Sequence, residues 1–439
     1  MHRFPFATGL IAVAVLVAGA CHRAAPSGEY LFVWAGDSAR AASDFLVVVD
    51  ANPSSKQYGT VLATLPTGVV GAYPHHTEAE MPSDGHLLAN GFGAGRTWLF
   101  DLTSPRQPKL LTSFGDVAGL SHPHTYTRLA NGNVLATFQY AANELATTTS
   151  PSSTVTAAAT ASASASAQMS MPMPTLTGAT HTTGGLVEMD ERGAVIRRGS
   201  ASDATIQDKL LFPYSVLALP SIDRAVSTTT DMDHADTVAT SQWVQFWRLS
   251  DLTLIKSIAL APGPRGDEHK FSGEPRLLPD GKSVYIHTFN CGLYLVRGIE
   301  RAAPSATFVK GFQGIDCGVP ILTSHYWLQP VPALHALVAL DIADPEHPRE
   351  VSSVSVGDDE EPHWIAIDAT GRRIVLNSAG AGLGNRIFVI NFDPADGALS
   401  IDARFRDAGA SRAGISMRGK SWPHGWTGTA VPHGSVFSR

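Results

Sequence analysis

Hydrophobic and polar positions along this chain fall into short extended runs, and helical stripes are nearly absent. Segments rich in Val, Ile, Phe, Tyr and Thr are bounded by Gly, Asp, Asn and Pro, the punctuation of strands and turns. One hydrophobic run, often closing on an acidic residue, recurs at 45–50, 97–101, 185–190, 244–249, 293–296, 336–341 and 386–390. Its spacing is about 45 to 60 residues, with one longer gap after Trp98. Between several runs lies a turn dipeptide: Asp84-Gly85, Asn131-Gly132, Asp280-Gly281 and Thr370-Gly371. Asn-Gly and Asp-Gly favour the tight turns that join antiparallel strands. Each unit therefore reads strand, turn, strand, loop, hydrophobic strand, turn, strand. A four-stranded unit at this period is a propeller blade, so the pattern predicts an all-β, seven-bladed β-propeller over 31–439. A solenoid or a sandwich explains the period less well.

Length alone, 439 residues, would suggest two or three domains. The repeat reduces that to one closed domain. A 44% hydrophobic and 16% charged composition supplies a large core, and Gly 40 with Pro 28 supplies the turns. The net charge of −7, without a long basic run, argues against a nucleic-acid partner. The long gap is explained by a Ser/Thr/Ala passage at about 147–183, which has no apolar face to bury and is expected to be a low-complexity insertion in one blade.

The first twenty residues read as a signal peptide. A short basic start is followed by an uncharged apolar stretch, too short for a span, ending Ala18-Gly19-Ala20-Cys21. Small residues before a cysteine resemble a bacterial lipobox, with Cys21 the lipidated first residue and 21–30 a tether. Ordinary cleavage nearby is the alternative. The expectation is an exported, periplasmic, lipid-anchored protein that contacts the membrane only through its anchor. In such an oxidising compartment Cys291 and Cys317, each followed by glycine, are candidates for a disulfide. Free thiols or copper ligands are the alternatives.

The histidines carry the main chemical signal. Pro-His pairs precede the turn dipeptide in several units: Pro74-His75-His76 before Asp84, His122-Pro123-His124 before Asn131, and Pro362-His363 before Thr370. Glu274-Pro275 and Pro213-Tyr214 hold the matching places in two other units, and Pro423-His424 and Pro432-His433 lie near the C-terminus. Equivalent positions of blades are related by rotation about the axis, so these residues should form a ring at the channel mouth. A ring of imidazoles suits copper, zinc, iron or nickel, or general acid–base chemistry. For any single histidine, capping a strand is the plainer role. Met169, Met171 and Met173 are soft donors in the insertion, and 231–236 has ligand types without calcium-loop spacing. His287 and His325 read as packing histidines.

The segment Ser121-His122-Pro123-His124-Thr125-Tyr126 followed by Asn131-Gly132-Asn133-Val134, with His75-His76 and Glu361-Pro362-His363, resembles the selenium-binding protein family, which includes exported methanethiol oxidases. The resemblance implies a seven-bladed propeller, a copper site, and oxidation of a small thiol by dioxygen to an aldehyde, sulfide and peroxide. By motif position it assigns His75, His76, His122, His124 and His363 to the metal. Glu274 or His424 would move protons. Family members carry a cysteine before the paired histidines, where Ala72-Tyr73-Pro74 stands here. Their C-terminal histidine motif is replaced by Pro423-His424 or Pro432-His433. Two other readings remain open: a non-catalytic binding platform with structural histidines, and a lactonase-type hydrolase, whose calcium or zinc would favour carboxylates and amides.

Overall fold

The computed structural model describes residues 29–142, 182–206, 210–232, 241–378 and 385–439. The expected signal peptide with Cys21, the methionines of the insertion, and His234 lie outside the described residues. So does the rest of the insertion except its last two residues, and Thr183 already opens a strand.

Seven four-stranded antiparallel sheets form a seven-bladed propeller. From blade 1 to blade 7 the strands nearest the axis are Ala430–Phe437, Pro74–Thr77, Leu120–Arg128, Pro213–Leu219, Ser272–Leu277, Ile321–Leu322 and Pro362–Ile367. In blades 2 to 7 the chain runs from the axis outward. Blade 1 differs, because its inner strand is the C-terminal one, paired antiparallel with Tyr30–Asp37 in the register Leu31↔Phe437. The two ends of the described chain thereby close the ring. A further short strand, Ile415–Ser416, pairs with blade 7.

All seven hydrophobic runs are the third strand from the axis, as in Ser43–Asp50 of blade 1 and Arg386–Phe392 of blade 7. Their continuity has a packing cause. In blade 1, Phe45, Val47 and Val49 point toward blade 7, while Leu46 and Val48 point toward blade 2. Both faces are buried, so the alternation of a half-exposed strand is lost. The core is accordingly divided into seven wedges, one between each pair of neighbouring sheets. Each fully buried aliphatic side chain contributes about 1.5–3 kcal/mol. An eighth cluster is mostly aromatic and belongs to no wedge.

Candidate metal centre

The inner strands share a backbone device. Six of the seven slip register with their neighbour near their start: at Pro74–Thr77, Pro123–Tyr126, Pro213–Val216, Ser272–Pro275, Pro362–Trp364 and, opposite Val33–Ala35, at Pro432–Ser435. A bulge leaves residues unpaired and turns their side chains out of the regular alternation. The residues inside these bulges include His75, His76, His124, Tyr214, Glu274, His363 and His433. Blade 6, whose inner strand has only two residues, is the exception.

Side chains on the second strands staple one bulge to the next. Asn90 accepts from the His76 N–H at 2.6 Å and donates to the Pro123 carbonyl at 2.7 Å. The Thr137 hydroxyl accepts from the Thr125 N–H at 3.0 Å and donates to the Tyr214 carbonyl at 2.8 Å. Thr228 repeats the arrangement between Ser215 and Gly273. His287 takes the corresponding place in blade 5: its Nδ1 accepts from the Glu274 N–H at 2.9 Å, which leaves the proton on Nε2. Blade 1 closes against blade 2 through Gly434, where a Cβ would stand 2.5 Å from the Thr77 nitrogen. Only glycine allows that approach.

Five imidazoles meet at the axis. The ring centroids of His75 lie 4.4 Å from His76, 4.8 Å from His124 and 4.2 Å from His433. His76 and His124 are 4.3 Å apart, and His363 is 4.7 Å from His433. His75, His76 and His124 each offer a nitrogen, all within 4.8 Å of one another. All five rings are buried. Burial, and the neighbouring imidazoles, hold His75, His76 and His433 well below the ordinary histidine range. Burial takes His124 down to about 3, against a raising bond to the Tyr214 carbonyl, and His363 to about 4. At neutral pH the cluster is therefore uncharged, the state in which imidazole ligates a metal.

Three buried nitrogens of the cluster, His75 Nδ1, His124 Nε2 and His433 Nδ1, have no hydrogen-bond partner. Each such orphan costs about 1–3 kcal/mol. The tautomer of His124 is fixed, because its Nδ1 donates to the Tyr214 carbonyl at 2.8 Å and leaves a lone pair on Nε2. The Tyr214 hydroxyl lies 3.2 Å from His76 Nε2, so this one residue orients two histidines. Neutral, desolvated imidazoles with unspent lone pairs fit a borderline-soft transition metal such as copper.

Glu274 is the carboxylate beside the cluster. Its Oε2 accepts from Ser215 and from Arg276, the latter at 2.9 Å. Its Oε1 is buried, unpartnered and 3.9 Å from His76 Nδ1. Below it opens a cavity of about 690 Å³ that includes His76, Glu274, Arg276 and Trp364 in its lining and continues to the turns at Asp84 and Gly132. At the opposite end of the inner strands, aromatic rings cap the cluster, among them Tyr73, Phe92, Tyr140, Phe212, Phe271 and Phe289.

The sequence-derived set is thus placed as follows. His75, His76, His124 and His363 come together, and Glu274 stands next to them. His122 does not join them. Its backbone is left-handed at φ 58°, as at Tyr73 (61°) and Phe271 (58°), and this sends its ring into the cap against Phe92 (5.3 Å) and Tyr140 (5.1 Å). His424 packs on blade 1, with Phe45 4.8 Å away and Nδ1 2.8 Å from Thr64 Oγ1. His433 takes the place sought at the C-terminus. Ring closure by the last strand is the signal that singles it out from His424. Tyr214 was legible as a ring position, though not as an orienting group. Cys291 and Cys317 are joined in a disulfide with Cα atoms 5.1 Å apart, buried between blades 5 and 6. His287 packs edge-on to Phe289, and His325 lies beside Tyr326.

No protein-family model matches the chain. A methanethiol oxidase from a Hyphomicrobium species is 36% identical over 110 residues, 23% of this chain and 24% of that protein. Selenium-binding protein 1 of Arabidopsis thaliana is 33% identical over 107 residues, or 21% and 22% of the two chains. The chain therefore spans about a quarter of the length of the curated relatives it matches. Among solved structures, a hypothetical selenium-binding protein from Sulfolobus tokodaii superposes with a TM-score of 0.67 at 16% identity, over 94% of both chains. Over about a quarter of its length the chain is thus a distant relative of the selenium-binding proteins and methanethiol oxidases, and over nearly all of it the fold is shared with the Sulfolobus structure.

Proposed function

We propose that this protein is an exported, copper-dependent oxidase of a small thiol. The carrying observation is the convergence of neutral, buried imidazoles with unpaired nitrogens at the blind end of a solvent-sized channel. His75, His76 and His124 would hold the metal, with His433 and His363 completing the pool. Copper would supply a redox centre passing electrons from the thiol to dioxygen. The likeness to a methanethiol oxidase suggests the overall reaction: a thiol RCH2SH, dioxygen and water give an aldehyde RCHO, hydrogen sulfide and hydrogen peroxide. Glu274 Oε1, facing His76 at the channel end, accepts the S–H proton, and Arg276 with Ser215 holds the carboxylate in place. The aromatic cap excludes water from the far side of the imidazoles. Export, with Cys21 lipidated, is part of this proposal, and a disulfide at Cys291–Cys317 accords with an oxidising compartment.

A lactonase-type hydrolase would draw on carboxylates and amides around its cation, whereas Glu274 is the one carboxylate beside these five histidines among the described residues. The test is purification from copper-supplemented cells, followed by elemental analysis, electron paramagnetic resonance and oxygen uptake with methanethiol. Near-stoichiometric copper with nitrogen hyperfine structure and thiol-dependent uptake are expected. Protein that takes up no copper, or copper protein inert toward every thiol, would reject the proposal.

A further inference from the structure

Apolar residues line the channel below the histidines on several blades, among them Met81 and Pro82 of blade 2 and Val216 and Leu217 of blade 4. Blades 6 and 7 give it an apolar wall in which Val319, Trp364 and Ile365 are buried and Ile321, Leu322 and Ile367 are the partly exposed side chains. In a seven-membered ring the boundary of blades 6 and 7 faces blade 3, which presents Thr125, Thr127 and Arg128. Arg128 is tied to the buried Glu78 at 2.7 Å and Arg276 is tied to Glu274, so these two cations of the lining carry a carboxylate partner, while the third, Arg439, is exposed. Two oxygens of the lining are left without a hydrogen-bond partner, Glu274 Oε1, which faces His76, and Thr77 Oγ1, on the residue that follows His76. From Trp364 to Ile367 an inner strand advances roughly 10 Å at ~3.3 Å per residue. A cavity of about 690 Å³ is in the range that encloses a multi-carbon ligand.

From this we infer that the channel selects linear alkanethiols of several carbons over methanethiol, with the thiol at Glu274 and the alkyl chain along the wall of blades 6 and 7. The inference rests on the thiol-oxidase reading above and names its substrate class. The balance is that of the proposed reaction with a longer R: the C–S bond breaks, a C=O bond forms with oxygen from water, two electrons reduce dioxygen to peroxide, and sulfur leaves as sulfide. Every methylene laid on the wall leaves water. Binding energy from this non-reacting part of the molecule favours the bound state that precedes chemistry.

The experiment compares kcat/KM for oxygen uptake by the copper-loaded full chain with linear thiols from one to six carbons. A rise of about fourfold per added methylene is expected until the wall is filled. A series that is flat or falls from methanethiol onward overturns the inference. An Ile367→Trp variant should lower the hexanethiol-to-methanethiol ratio by at least about tenfold, and a Leu322→Trp variant provides a second obstruction should the first fail to fold. Binding of the matching unreactive 1-alkanols, read by calorimetry, separates this inference from the oxidase reading. Affinity that climbs with chain length and collapses in the obstructed variant sustains the channel even if no thiol is oxidised. Affinity indifferent to length overturns it even if methanethiol is turned over.

Discussion

Blades 7, 1, 2 and 3 form one continuous arc around the axis, and blades 4, 5 and 6 form the other. On the first arc the bulged inner strands present His363, His433, His75 with His76, and His124. On the second, the same device presents Tyr214 and Glu274, and blade 6 contributes only a two-residue strand behind Gly318 and Val319. The backbone solution is shared, so aim is a property of the fold. Chemistry is a property of the side chain that fills each bulge. The result is a polarised ring, with the imidazoles on one arc and the tyrosine and carboxylate that stand beside them on the other.

The largest test breaks the histidine arc. His124→Ala removes a nitrogen with a fixed tautomer and no other partner, so bound copper should fall below about a tenth of the wild-type ratio, and oxygen uptake should be lost with it. Elemental analysis on protein with an unchanged far-ultraviolet dichroism spectrum checks this. Full copper content in that variant would remove His124 from the site. The next test is on the opposite arc. Glu274→Gln preserves shape and the contacts of Ser215 and Arg276 in outline, while replacing the carboxylate proposed to accept the proton. Copper should stay bound, and the turnover rate should fall on the order of a hundredfold. Loss of copper instead of rate would make Glu274 part of the metal site.

A smaller effect is expected where the arcs touch. Tyr214→Phe keeps the carbonyl that fixes His124 and removes only the hydroxyl beside His76 Nε2. Losing an orienting bond of this kind weakens metal affinity by about tenfold and perturbs the hyperfine pattern of the copper signal. Competition against a chelator measures it. An affinity that is unchanged or tighter would mean that the hydroxyl obstructs His76 rather than orienting it.

The propeller was readable from the chain because its third strands are buried on both faces and repeat seven times, as the split of Phe45, Val47 and Val49 from Leu46 and Val48 makes plain. The Pro-His pairs carried most of the ring for the same reason: repetition turns residues distant in sequence into neighbours. What the chain does not spell out is the sign of one backbone dihedral. His122 and His124 flank the same proline, yet the first has φ 58° and faces the aromatic cap while the second lies in the bulge and faces the axis. His433 was similarly ambiguous beside His424. Two Pro-His pairs nine residues apart look alike until the pairing of Ala430–Phe437 with Tyr30–Asp37 makes one of them part of the inner strand of blade 1.

That dihedral gives the comparison its finest test. His122 sits next to the arc in sequence and outside it in space, with its Nδ1 3.1 Å from the hydroxyl of Ser121 and its ring against Phe92 and Tyr140. A bulky residue in the left-handed region costs about 1–2 kcal/mol that glycine does not. His122→Gly therefore relieves backbone strain and forfeits the ring contacts, two terms of opposite sign and similar size. The melting temperature should move by only a few degrees in either direction. Copper content and affinity should stay within about twofold of wild type, far from the tenfold changes expected where a group that orients a ligating imidazole is lost. Loss of copper in His122→Gly, with the fold intact, would show that the ring swings from the cap to the axis when metal binds, and the boundary between the two regions would have to be redrawn through Pro123.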